Sequence, residues 1–226
     1  MAMGTRTERI AIDAGQPGNV PGILISPAKP RALYVLAHGA GAGMEHAFMR
    51  AAAEGLAERG VATLRFQFPY MERGSKRPDS PGVAHATVRA AVANAAKLMP
   101  GVRLFAGGKS FGGRMTSQAQ AAAALDGVGG LAFLGFPLHA AGEPGDARAR
   151  HLGDVAVPML FLQGTRDALA DVTLMRALGK RLGARATLAF FEDADHSFHV
   201  PAKSGRNDVQ VLSGVLDTLA HWMSNH

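Results

Sequence analysis

Val102-Arg103-Leu104-Phe105-Ala106-Gly107-Gly108-Lys109-Ser110-Phe111-Gly112-Gly113 is the stretch that decides the fold. Val102 to Ala106 reads as a buried strand running straight into Gly107 to Gly113, with a helix following to about Ala124. Strand, then Gly108-Lys109-Ser110-Phe111-Gly112, then helix is the pattern that presents a serine hydroxyl above a sheet. The serine must sit on a sharp, strained turn. Glycines two residues either side let strand and helix approach without Cβ clashes. The helix beginning at Phe111 aims free N–H groups and its positive dipole end at the serine, so an anion forming there is stabilised. The bare string is a weak signal in a chain with 28 glycines, because ordinary strand-to-helix turns share it. Its weight comes from the flanking elements and from residues further along.

Outward from this turn, short apolar runs alternate with longer helical patterns. That alternation predicts an α/β fold, a mostly parallel central sheet with helices on both faces. Arg9 to Ile12 and Gly22 to Ser26 suggest two antiparallel strands around a Gln16-Pro17-Gly18 turn. Ala32 to Ala37 is a buried strand ended by the glycine-rich turn Gly39 to Gly43. Phe48 to Arg59 is an alanine-rich helix, closed by Gly60 where a left-handed residue belongs. Val61 to Phe66 is a strand, and Pro69 to Pro81 a polar loop. Val83 to Met99 puts Val88, Ala91, Val92, Ala95, Leu98 and Met99 on one helical face, stopped by Pro100-Gly101. Gly130 to Gly135, Met159 to Leu162 and Ala186 to Phe191 are the remaining strands. Asp171 to Leu182 is a helix between the last two. Asp208 to Met223 closes the chain with apolar residues at i, i+3/i+4 spacing, and the residues from Ser224 should fray. No composition shift, charged linker or internal repeat divides residues 1–226, so a single domain is expected.

Composition narrows the function classes. The chain is 47% hydrophobic and 19% charged, which fits a globular core rather than disorder. No run of ~18 apolar residues is present, so no membrane span is expected. Met1-Ala2-Met3-Gly4-Thr5-Arg6 lacks the apolar stretch of a secretory signal. The absence of cysteine removes disulfides, thiolate metal sites and a cysteine nucleophile, and fits a cytoplasmic setting. The net charge of +6 raises the question of a nucleic-acid partner. Its basic residues are dispersed, however, and the densest cluster, Arg73 to Arg77, has no recognised nucleic-acid motif beside it. No nucleic acid is expected.

A serine nucleophile needs a base, and the base needs an orienting carboxylate. Asp167 follows the strand Met159-Leu160-Phe161-Leu162-Gln163-Gly164 within the turn Thr165-Arg166-Asp167. His196 follows the last strand in the loop Glu192-Asp193-Ala194-Asp195-His196-Ser197-Phe198. Ser110, Asp167 and His196 thus occur in the order expected of this architecture. Several rivals compete. Asp171 more naturally caps the helix it precedes. Asp193 and Asp195 share the loop with His196 and suit loop hydrogen bonding. His199 is a second histidine, deeper in the same loop. His85, His221 and His226 fall on helices or the tail as surface residues. No histidine or carboxylate spacing suits a metal, and no cofactor is implied.

A tetrahedral intermediate needs preorganised N–H donors for its oxygen. The best candidates are the backbone N–H of Ala40, in His38-Gly39-Ala40-Gly41-Ala42-Gly43, and that of Phe111. A dinucleotide loop is a weaker reading of that stretch, since the spacing of G-x-G-x-x-G is missing. Loops at the C-terminal ends of the strands should face the substrate. They supply Met44 to His46, Phe68 to Met71 and Phe136 to His139, and give His38, His46, Tyr70, Lys109, Phe136 and His139 as possible substrate contacts.

Taken together, His38-Gly39, Gly108-Lys109-Ser110-Phe111-Gly112, Gln163-Gly164-Thr165-Arg166-Asp167 and Asp195-His196-Ser197-Phe198 resemble the α/β-hydrolase superfamily over nearly the whole chain. Arg65-Phe66-Gln67-Phe68-Pro69-Tyr70-Met71 and Gly135-Phe136-Pro137-Leu138-His139 are similar to a compact, cap-less bacterial branch near the dienelactone hydrolases. The resemblance implies a serine hydrolase cleaving a small-molecule carboxylic ester through an acyl-enzyme. The nucleophile position of a dienelactone hydrolase holds cysteine, and Ser110 here favours ester hydrolysis over lactone opening. A peptidase or thioesterase could use the same residues. Some eukaryotic relatives of the branch are chromatin-complex subunits, so a non-catalytic binding or scaffold protein is the reading from a different class. The short connection from Gly135 to Met159 leaves no room for a large cap domain. An open site preferring short acyl chains follows from that.

Overall fold

In the computed structural model, which describes residues 4–226, eight strands form one sheet in the order β1-β2-β4-β3-β5-β6-β7-β8. β3 (Ala32–Ala37), β4 (Val61–Phe66), β5 (Arg103–Lys109), β6 (Val128–Leu134), β7 (Met159–Gly164) and β8 (Ala186–Phe191) run parallel. β1 (Arg6–Asp13) and β2 (Asn19–Ser26) add an antiparallel edge. Every residue of β3, β4 and β7 is buried. Strands covered on both faces read as continuous apolar runs for that reason.

Alternate residues of β3 enter two separate cores. Leu33, Val35 and Ala37 join the core on the sheet face covered by α3 (Pro81–Leu98), α4 (Phe111–Ala122) and α5 (Val172–Leu182), which also holds Val88, Met115 and Met175. Tyr34 and Leu36 join the core on the face covered by α1 (Ala47–Glu58) and α6 (Asp208–Asn225), which also holds Leu56, Val215 and Trp222. A fully buried leucine or valine of this kind stabilises the fold by ~1.5–3 kcal/mol. Because β3 lies between β4 and β5, the chain leaves it to one side and returns on the other. The loops following β3 and β5 therefore diverge, which leaves a crevice at their C-terminal ends.

The structure departs from the sequence reading at several element ends. β1 and β2 are longer than predicted, paired from Arg6–Ser26 to Asp13–Asn19. Most of β1 is exposed, so the ladder holds it and no apolar pattern reveals it. β5 continues past Ala106 through Gly107 and Gly108, where the sequence reading ended it. A Cβ on Gly107 would lie 1.8 Å from the Ala132 carbonyl oxygen, and one on Gly108 2.2 Å from that of Ala37. The glycines thus let β6 and β3 close against β5 instead of breaking the strand. Inside the predicted Pro69–Pro81 loop lies a short helix, α2 (Pro69–Glu72), whose Tyr70 N–H donates to Asp79 at 2.9 Å. A 3-10 helix, Ala147–Asp154, occupies the β6–β7 connection.

The tail does not fray at Ser224. α6 runs to Asn225, with the Ser224 hydroxyl donating to Ala220 and His226 stacked on Trp222 at 4.5 Å. His85 is half-buried against Gln118 rather than on the surface, because the α3 face that carries it packs on α4. Gly60 takes the left-handed conformation expected after α1, and Asp171 caps α5 by accepting the Leu174 N–H at 2.9 Å.

Candidate active site

Ser110 forms the corner between β5 and α4 with φ +50° and ψ −115°. That region is sparsely populated for a residue with a Cβ and costs of order 1–3 kcal/mol. Packing around the corner imposes it. A Cβ on Gly112 would meet the His38 carbonyl oxygen at 2.5 Å, and one on Gly113 would meet that of Gly108 at 2.8 Å. The glycines at 108 and 112 therefore make room for the end of β3. Gly113 is the residue that lets α4 approach β5, a correction to the sequence argument.

Ser110, His196 and Asp167 come together from three separate strand ends. The Ser110 hydroxyl donates to His196 Nε2 at 2.8 Å, and His196 Nδ1–H donates to Asp167 Oδ2 at 2.6 Å. Asp167 is 6% exposed and receives two further donors, the Leu169 N–H on Oδ1 at 2.8 Å and the Gln163 side-chain amide on Oδ2. A carboxylate taken out of water needs such donors to satisfy its oxygens. Gln163 also accepts the Phe136 N–H at 2.9 Å, so one amide ties β7 to the loop after β6. Sequence reasoning quoted Gln163 without giving it a part. A side chain closing a buried strand four residues before the acid was the available signal.

The competing acids and histidines lie elsewhere. Asp195 accepts the Ser197 and His199 N–H groups at 2.7 and 2.9 Å, which shapes the loop carrying His196. His199 is exposed and pairs with Asp208 on α6. Asp193 sits at a left-handed turn with its N–H donated to the Thr165 hydroxyl at 2.9 Å.

Among the described residues, neither the Ala40 nor the Phe111 backbone N–H is engaged by a hydrogen bond. Both border Ser110 in the cleft. The turn holding Ala40 is fixed from below by Tyr70, whose hydroxyl accepts the Gly41 N–H at 2.9 Å. Burial pushes that phenol's pKa up, keeping it protonated.

Of the six predicted substrate contacts, the structure brings two to the cavity beside Ser110. This cavity of about 330 Å³ is bordered by Ala40, His46, Phe48, Met49, Lys109 and His196. His46 is exposed and caps α1 by accepting the Phe48 N–H. Lys109 is largely buried, its Nζ donating to the His196 carbonyl and lying 5.8 Å from the Phe48 ring. The other four have little or no open surface. His38 is fully buried, with Nδ1 donating to Gly39 and Nε2 accepting the Phe68 N–H at 3.1 Å. Tyr70 and Phe136 are buried, the latter edge-on to Phe133. His139 donates to Ala140 and accepts the Asp171 N–H, holding the start of α5. Polar groups at strand ends are needed for loop hydrogen bonds as well as for substrates, and His38, Tyr70 and His139 serve the loops while Phe136 packs in the core.

Among the described residues no group of three or more histidines and carboxylates could hold a metal ion, and no helix is long and apolar enough to cross a membrane.

Comparison with known proteins agrees with this fold. The model of the alpha/beta hydrolase domain matches residues 30–224. The chain belongs to the α/β-hydrolase family. A serine hydrolase without a lid from Xanthomonas campestris is 22% identical, matches 98% of this chain and 97% of its own, and superposes with a TM-score of 0.75. Dienelactone hydrolase from Anabaena variabilis is 19% identical over 98% of both chains, with a TM-score of 0.79. A cold-adapted esterase from an Arctic intertidal metagenomic library is 18% identical over 98% of this chain and 95% of its own, at 0.69. At these identities the shared property is the fold, and this α/β hydrolase carries it without a large cap domain.

Proposed function

We propose that this α/β hydrolase is a serine hydrolase that cleaves carboxylic esters through an acyl-enzyme, with Ser110, His196 and Asp167 as its catalytic triad. The observation that carries the reading is the unbroken chain of hydrogen bonds from Ser110 through His196 to Asp167. Ser110 Oγ attacks the ester carbonyl while its proton passes to His196 Nε2. Asp167 holds the Nδ1–H tautomer and stabilises the imidazolium. The free N–H groups of Ala40 and Phe111 receive the developing oxyanion. Collapse breaks the bond to the alcohol oxygen, which leaves with the proton from His196. Water, deprotonated by the same imidazole, then attacks the acyl-enzyme, and Ser110 regains its proton as the acid departs. A small-molecule ester and a cytoplasmic setting belong to the same reading.

Fluorophosphonate labelling tests it without knowledge of the substrate. The native protein takes up the label at Ser110 and hydrolyses activated short-chain esters, and Ser110→Ala does neither. An unlabelled native protein, or labelling that persists in Ser110→Ala, refutes the assignment.

A further inference from the structure

A second cavity opens on the other side of Ser110. It holds about 450 Å³ and shares Ala40, Ser110 and Leu169 with the first, so the two form the arms of one cleft meeting at the serine. Their chemistry differs. The first arm is bordered by His196, Phe48 and Met49, whereas the second is bordered by the side chains of Arg114 and Arg148 and not by His196. Arg114 is one turn after Ser110 on α4, its N–H donating to the Ser110 carbonyl at 3.0 Å. Arg148 comes from the 3-10 helix of the β6–β7 connection and spends one N–H on the His139 carbonyl at 2.8 Å.

Neither guanidinium has a carboxylate within ion-pair distance among the described residues. Arg114 Nε is buried with no hydrogen-bond partner. Asp79, the acidic residue of this arm, has a buried side chain already paired with Arg73 at 2.6 Å and with the Tyr70 N–H. Burial, and then the like charge of Arg148, lower the pKa of Arg114. Two unpaired cations facing one cavity, one of them partly desolvated, lack an anion. Guanidinium groups bind carboxylates with charge-assisted, often bidentate hydrogen bonds.

Resting on the serine-hydrolase reading, we infer that Arg114 and Arg148 form a subsite for a carboxylate on the acyl half of the substrate. The acyl half is specified by His196. The leaving oxygen must reach Nε2 to be protonated, so the alcohol occupies the arm that His196 borders and the acid extends into the arginine arm. The substrate class is then a monoester of a dicarboxylic acid.

The test compares mono-4-nitrophenyl adipate with its neutral methyl ester, alongside calorimetric titration of free adipate and of adipamide. The native enzyme should cleave the anionic ester with a kcat/KM about tenfold or more above the neutral one, the scale of a charge-assisted hydrogen bond. That ratio should fall toward one in Arg114→Gln or in Arg148→Gln, which alter different elements. A native ratio of one or below, or a ratio unchanged in both variants, overturns the subsite. If neither ester is cleaved, the serine-hydrolase reading fails and calorimetry decides the subsite alone. Adipate bound at least tenfold more tightly than adipamide, and weakened by either variant, upholds an anion site. Equal or absent binding of the two removes it.

Discussion

Lys109 Nζ donates to the backbone carbonyl of His196 and lies 5.8 and 5.9 Å from the ring centroids of Phe48 and Phe198. Lys109 immediately precedes Ser110, so one corner of the chain presents the hydroxyl and also anchors the loop carrying its imidazole partner. Burial pushes the ammonium pKa down to about 8, with the charges of Asp167 and Asp195 acting the other way.

This arrangement separates activity from stability in Lys109→Met. Methionine fills much of the aliphatic volume but cannot hold the His196 carbonyl. A loss of ~1.4 kcal/mol in positioning would lower kcat on the order of tenfold. Stability changes little, because the lost hydrogen bond is offset by relief of a buried charge. Parallel measurement of kcat on an activated ester and of the urea midpoint checks this. An unchanged kcat would mean that the lysine does not position His196.

Acid should weaken the fold through His38. Its Nε2 accepts the Phe68 N–H, so protonation there sets two donors against each other in a fully buried site. Burial lowers its pKa to about 4, with the Gly39 carbonyl opposing the shift. The folded state therefore binds fewer protons than the unfolded chain between about pH 4 and 6.5, and stability is lost as pH falls through that window. For His38 alone this amounts to roughly 3 kcal/mol. His151, also lowered to about 4 by burial, acts in the same direction. Urea unfolding at pH 7.5 and 4.5 should show the native protein losing more stability than His38→Asn across that range. Equal losses would contradict the assignment.

Legibility in the sequence followed the kind of information each feature needs. The strand segments along the chain and the turn at Ser110 were readable because burial on both faces and the glycine pattern are local properties. So were the places of Asp167 and His196 after their strands, since chain order constrains which strand ends can bring side chains to Ser110. The parts played by Gln163, Lys109 and Tyr70 were not readable. Each depends on a partner from a distant segment: Phe136 for Gln163, His196 for Lys109 and Gly41 for Tyr70. His38 illustrates the same limit. A histidine ending a strand beside a glycine turn suits a substrate contact or a loop anchor equally, until Phe68 is seen to donate to it.

The strained corner predicts a reversed order of two variants. At ordinary positions alanine is more stable than glycine, because glycine has more unfolded-state entropy to lose. Ser110 has φ +50°, which alanine also tolerates poorly. Ser110→Gly should therefore be the more stable of the two by about 1 kcal/mol, with both devoid of ester hydrolysis. Thermal or urea unfolding of the pair decides it. A more stable Ser110→Ala would show that the backbone relaxes in the absence of the hydroxyl.

The last prediction concerns which carboxylate serves His196. The acid must accept from the imidazole nitrogen remote from the serine, and Asp167 does so at 2.6 Å from a different loop. Asparagine there keeps the shape, but its amide can donate and so favours the wrong tautomer. Asp167→Asn should therefore lose on the order of 10²–10⁴ in turnover, in line with the equivalent change in a serine protease. Asp195 serves through acceptance of the Ser197 and His199 N–H groups, which an asparagine oxygen can still provide. Asp195→Asn should cost about tenfold or less. Asp193 occupies a left-handed turn that asparagine tolerates as well, so Asp193→Asn should leave turnover within the same limit. One activated ester and three values of kcat settle the comparison. Near-normal turnover in Asp167→Asn, with collapse in either neighbour, would move the acid to the loop of His196 and require that loop to refold around Nδ1.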